Sequence, residues 1–100
     1  MVVMNDRLLI IYQHDPNIVT RLIAGEMILV PIRKNMGDLE NIYTLNETAA
    51  RSWELLDGEH TLGEIRDRLV AEYEVTAEQA WDDLLELLES LQSVGAIQAV

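Results

Sequence analysis

One hundred residues, 49% of them hydrophobic, are enough for one buried core and too few for two domains. The absence of cysteine excludes disulfides, iron–sulfur ligation and thiol catalysis, and no apolar run approaches the roughly 20 residues that span a bilayer. The net charge of −11 is unevenly spread: residues 1–45 hold four basic and five acidic side chains, residues 46–100 hold three and thirteen, and no Lys or Arg follows Arg68. A phosphate backbone needs clustered cations, so nucleic acid is not an expected partner. The acidity reads as a solvated surface or as steering toward a basic partner.

The N-terminal run Leu8–Tyr12 (LLIIY) is too short for a membrane helix. It also lacks the basic start and small-residue cleavage site of a signal peptide. The expectation is a cytoplasmic protein without membrane attachment. Residues 1–15 read as an arm or an extra strand, which Asp15-Pro16 separates from a domain over 16–100.

That domain opens with strands. Residues 18–23 (IVTRLI) and 27–32 (MILVPI), around Ala24-Gly25-Glu26, predict a hairpin. Pro31 places its strand at an edge or near an end, because proline has no N–H to donate. A turn over Asn35-Met36-Gly37-Asp38 leads to a third strand, Glu40, Asn41, Ile42, Tyr43, Thr44 and Leu45. Alternation puts Ile42 and Thr44 on one face and Tyr43 and Leu45 on the other.

Three helices follow. Asn46 is a suitable N-cap with Glu47 in the first turn, and Leu45 with Ala50 fits a hydrophobic staple. Ala49, Ala50, Trp53 and Leu56 share a face, and Asp57-Gly58 stops the helix. Thr61-Leu62-Gly63-Glu64 is a capping box opening a helix with Leu62, Ile65, Leu69 and Tyr73 on one side. Thr76-Ala77-Glu78-Gln79 is a second box. It opens the longest helix, about 77–94, closed by Gly95. This helix carries Ala77, Ala80, Trp81, Leu84, Leu85, Leu87, Leu88, Leu91 and Val94, an apolar arc wider than one packed layer needs. The arc is a central core helix; one margin, formed by Trp81, Leu85 and Leu88, is the candidate lining of a partner groove.

Catalytic signals are missing. His14 and His60, the only histidines, belong to no spaced ligand motif. There is no phosphate loop, nucleophile elbow or paired-carboxylate signature. Asp82 and Asp83 are adjacent on a helix, so their carboxylates diverge. No cofactor or enzymatic activity is expected. Trp53 and Trp81 read as core or groove aromatics. Arg33-Lys34 reads as a solvated strand end that could also meet acidic residues of a bound peptide.

The ordered set Leu45-Asn46, Ala49, Trp53, Leu56-Asp57-Gly58, Thr61, Glu64-Ile65, Leu69, Asp83, Leu91, Gly95 and Ile97, behind three strands, resembles the PqqD family. This is the RiPP recognition element found in pathways that modify ribosomally made peptides. The resemblance covers roughly residues 16–100. It implies an α+β, winged-helix-like fold: a three-stranded antiparallel sheet followed by three helices. It also implies a non-catalytic peptide chaperone. The leader of a precursor peptide would add as a strand beside Glu40–Leu45 and rest on Trp81, Leu84, Leu85 and Leu88, for presentation to a modifying enzyme such as a radical SAM enzyme, as in pyrroloquinoline quinone synthesis. Strand addition to an open sheet edge is physically sound, since the edge offers unpaired N–H and C=O groups. On this reading Tyr43→Pro would remove a ladder donor and Leu85→Asp would spoil the wall. Two alternatives remain at this point: a winged-helix transcription regulator, which the acidic third helix disfavours, and an oligomerising module in which LLIIYQ exchanges between copies as a homodimer.

Overall fold

The computed structural model describes residues 6–32 and 43–100. Asp6–Leu9 forms a 3-10 turn, followed by strand β1 (Tyr12–His14). Strands β2 (Ile18–Ile23) and β3 (Glu26–Pro31) pair antiparallel, from Ile18 opposite Pro31 to Ile23 opposite Glu26. Only Ala24 and Gly25 join them. Both are left-handed, at φ 52° and 83°, the signature of a type I′ turn, whose twist matches that of the flanking strands. Strand β4 (Tyr43–Leu45) pairs antiparallel with β3, giving a sheet of order β2-β3-β4. The expected α+β arrangement of three strands before three helices is the observed one. Of the expected third strand, Glu40, Asn41 and Ile42 lie outside the described residues, as do the turn over 35–38 and Arg33-Lys34.

The helices start where their caps dictate. Asn46 Oδ1 accepts from Ala49 N at 2.8 Å and opens α1 (Glu47–Leu55). Thr61 and Glu64 form a reciprocal capping box, with bonds of 2.8 and 3.2 Å, that opens α2 (Leu62–Glu72). Thr76 and Gln79 do the same at 3.0 and 3.1 Å for α3 (Ala77–Ser93). Each box satisfies two backbone donors that a helix start otherwise leaves unpaired. Gly58 and Gly95 take the left-handed conformation, at φ 85° and 70°, that lets the chain leave α1 and α3.

Leu29, Leu56, Leu62, Ile65, Leu84, Leu88 and Leu91 are the largest fully buried side chains. They tie the sheet to all three helices in one core, which extends to Tyr12, Leu45 and Trp53.

Within the described part of the N-terminal segment, β1 pairs inside its own chain. β1 forms an antiparallel ribbon with β5 (Ile97–Ala99), Tyr12 opposite Ala99 and His14 opposite Ile97. Leu62 N donates to the Ile10 carbonyl at 3.0 Å and Gly58 N to the Tyr12 carbonyl at 2.9 Å. Tyr12 is buried, and the His14 ring stacks on Trp53 with centroids 3.6 Å apart. His14 Nε2 also lies 2.6 Å from the Trp53 carbonyl. A carbonyl only accepts, so that nitrogen carries the hydrogen. Trp53 in turn donates from Nε1 to Thr20 Oγ1 at 3.0 Å. One buried indole therefore links β1, β2 and α1.

Candidate functional site

The hydrogen-bond phase of the sheet decides which backbone groups of β4 are free. Along an antiparallel strand, successive residues direct both N–H and C=O to opposite neighbours. Ile32 N donates to the Asn17 carbonyl at 2.8 Å, and the two-residue turn closes on the pair Ile23 and Glu26. Even-numbered residues of β3 therefore bond to β2, and odd-numbered ones to β4. Met27 is paired with Leu45 and Leu29 with Tyr43, so Leu45 and Tyr43 spend their backbone groups on β3. Thr44 directs its N–H and C=O outward. Among the described residues no strand lies on that side of β4. A proline at Tyr43 would thus break the sheet itself; Thr44 is the residue whose donor faces outward.

Beside this edge is a cleft of about 250 Å³. Tyr43, Thr44, Leu45 and Asn46 form one side, Thr48, Ala49 and Ser52 of α1 one end, and Leu69 and Val75 contribute from α2 and the turn after it. The opposite wall is α3, through Ala80, Asp83, Leu84, Glu86, Leu87 and Ser90. At about 100° per residue these positions make two stripes. Ala80, Leu84 and Leu87 are buried and form an apolar floor; Asp83 and Glu86, both exposed, with half-buried Ser90, form a polar rim.

Of the wall residues expected from sequence, Leu84 lines the cleft. Trp81, Leu85 and Leu88 do not. They lie on the opposite flank of α3, where Trp81 and Leu85 are half-buried against the core and Leu88 is fully buried. Gln92, on that same flank, donates from Nε2 to Tyr12 Oη at 3.2 Å, so the flank is used by the β1–β5 side of the domain. Of the lining residues outside the expected set, Asn46, Thr48, Ser52, Asp83, Glu86 and Ser90 are polar and carry no apolar signal, while Ala49, Leu69, Val75, Ala80 and Leu87 are small or apolar residues that the sequence does not distinguish from core.

A second, more open depression of about 370 Å³ lies between the hairpin tip and α1, lined among others by Leu22, Met27, Ala50, Arg51 and Tyr73. Its one cation is already engaged. Arg51 holds Glu72 through two bonds of 2.7 and 2.9 Å and Glu54 through one of 3.2 Å. The hydrogen bond from Arg51 holds the Glu72 carboxyl below the usual carboxylate range. Burial, followed by the nearby Glu47 and Glu72 carboxylates, pushes the Tyr73 phenol up. Among the described residues no group of three His, Asp or Glu side chains could hold a metal ion, and no helix is long and apolar enough to cross a membrane.

Known proteins resemble this chain. A PqqA binding protein from Methylococcus capsulatus is 39% identical over 61 residues, 61% of this chain and 63% of that protein, so the match spans less than two thirds of the relative. A solved lasso peptide synthetase B1 complexed with the leader peptide superposes with a TM-score of 0.74 at 28% identity, over 87% of this chain and 96% of that one. TbiB1 in complex with the TbiA(beta) leader peptide has the same fold, with a TM-score of 0.71 at 23% identity over 86% and 94% of the two chains. The family model of coenzyme PQQ synthesis protein D (PqqD) matches residues 26–97, from the first residue of β3 to the first of β5, and on that match this chain belongs to the PqqD family.

Proposed function

We propose that this chain is a non-catalytic peptide chaperone: it binds the leader of a ribosomally made precursor peptide by strand addition to β4 and presents it to a modifying enzyme. The observation that carries this reading is the outward-facing Thr44 backbone beside a cleft with an apolar floor. An extended guest satisfies the edge, and alternate guest side chains enter the cleft. The family membership and the leader-peptide complexes of its structural neighbours support the same reading. The guest-binding residues are then Thr44 for the backbone, with Tyr43, Leu45, Ala80, Leu84 and Leu87 for side chains. The modifying enzyme is a radical SAM enzyme if the pathway is that of pyrroloquinoline quinone, and the meeting place is the cytoplasm, where the precursor is made.

The test is calorimetric titration of the full chain with the synthetic leader of a precursor peptide encoded beside its gene. Ala49→Trp puts a plug at a half-buried cleft position away from the central leucines, and is expected to weaken binding by at least about tenfold, the scale of losing one anchored apolar side chain. Leu85→Asp, on the other flank, is expected to bind as the wild type does. Unchanged binding in folded Ala49→Trp, or no binding by the wild type, overturns the proposal.

A further inference from the structure

Resting on that reading, we infer that the cleft selects guest strands carrying a basic side chain two residues from an apolar one. The guest residue bonded to Thr44 points its side chain away from α3, and its two neighbours point toward the helix. The α3 wall runs from Ala80 to Ser90, about 15 Å of helix and therefore roughly four to five residues of strand. That length admits two or three inward-facing guest side chains.

These side chains meet two different surfaces. The floor is Ala80, Leu84 and Leu87, all buried and apolar. The rim holds Asp83 and Glu86, and the lining contains no Lys, Arg or His. Among the described residues neither carboxylate has an ion pair or a side-chain hydrogen bond, whereas Glu54, Glu72 and Asp67 are each paired with an arginine. No Lys or Arg follows Arg68 in the sequence, so α3 has none of its own to offer. A guest acid at the rim would face two like charges. A guest Lys or Arg would lay its aliphatic stem toward the floor and its charge against the rim, the arrangement such side chains favour at apolar–polar borders. The rim thus adds a charge requirement to a backbone-driven contact that otherwise reads little sequence.

A phage-displayed library of random 12-residue peptides, selected on the immobilised full chain, tests this. The expected outcome is enrichment of peptides with Lys or Arg two positions from Leu, Ile, Val or an aromatic residue. On Asp83→Asn/Glu86→Gln that basic preference is lost while the apolar position persists. A selected Lys peptide then binds the wild type roughly fivefold more tightly than its Gln analogue, the scale of one partly exposed ion pair. Circular dichroism verifies that the variants fold, and both substitutions are at exposed positions. The control Glu78→Gln/Asp82→Asn removes the same charge from exposed sites outside the cleft, and is expected to leave the preference intact. If the control erases the preference as fully as the rim variant does, overall acidity is responsible and the inference fails. Recovery of peptides without basic enrichment refutes the charge requirement alone. Recovery of no peptide at all refutes peptide binding and this inference with it.

Discussion

Replacing Thr44 with proline separates the guest-facing edge from the fold. Thr44 N–H has no partner among the described residues, because Tyr43 and Leu45 make the bonds to β3. Proline is tolerated on an edge strand where its missing N–H faces outward, and Tyr43, which would precede it, is already in the extended conformation that a residue before proline prefers. Stability should therefore change by less than about 1 kcal/mol. The guest, by contrast, loses one backbone bond worth about 1 kcal/mol, and its carbonyl is left unpaired at a further 1–2 kcal/mol. The sum of about 2–3 kcal/mol corresponds to roughly 30- to 150-fold in Kd. Tyr43→Pro has the reverse profile: it strands the Leu29 carbonyl inside the sheet, so stability falls by about 2 kcal/mol or more. Titration with the leader peptide and urea denaturation of both variants supply the comparison. Amide hydrogen exchange supplies a check that needs no ligand. In the free chain Thr44 should exchange much faster than Tyr43 or Leu45, and should become protected when peptide is added. A Thr44 amide already protected in the free chain, or a folded Thr44→Pro variant with undiminished affinity, would refute the phase argument.

Two further outcomes concern stability. Ala24, exposed and left-handed at φ 52°, has a conformation costly for a residue with a Cβ; Ala24→Asn, favoured at this position of a type I′ turn, should stabilise by about 1 kcal/mol and raise Tm by about 4 °C or more, as thermal circular dichroism would record. Glu72 is held below its usual pKa by the hydrogen bond from Arg51, so its contribution is fully present above the ordinary carboxylate pKa of about 4 and is lost as pH falls through the lower folded value. The urea midpoint of the wild type should thus exceed that of Glu72→Gln at neutral pH and approach it as acid protonates the folded carboxyl; a pH-independent difference would show that the pairing contributes no linkage.

Local chemistry was legible in the sequence and relative placement was not. Asn46, Thr61 and Thr76 marked helix starts because each cap is settled within four residues. The hairpin was legible because its turn is local. The phase of β4 was not: alternation separates Tyr43 and Leu45 from Thr44 by side-chain face, but which of them bonds outward depends on register two strands away. The flank of α3 was also hidden. Trp81, Leu85 and Leu88 drew attention as apolar residues, yet an apolar flank is what the domain buries for itself. The flank that lines the cleft is open to water, so Asp83, Glu86 and Ser90 read as ordinary solvated surface. The pairing of β1 with β5 joins positions more than 80 residues apart, beyond the reach of any local pattern.

That ribbon holds Val100 beside Ile11, with Val100 N donating to the Ile11 carbonyl at 2.9 Å. The ribbon lies on the side of α3 that holds Gln92, turned away from the Asp83–Ser90 rim. Polypeptide joined beyond Val100 would leave on that side, without obstructing the cleft. The ribbon and the cleft thus occupy opposite sides of a single helix.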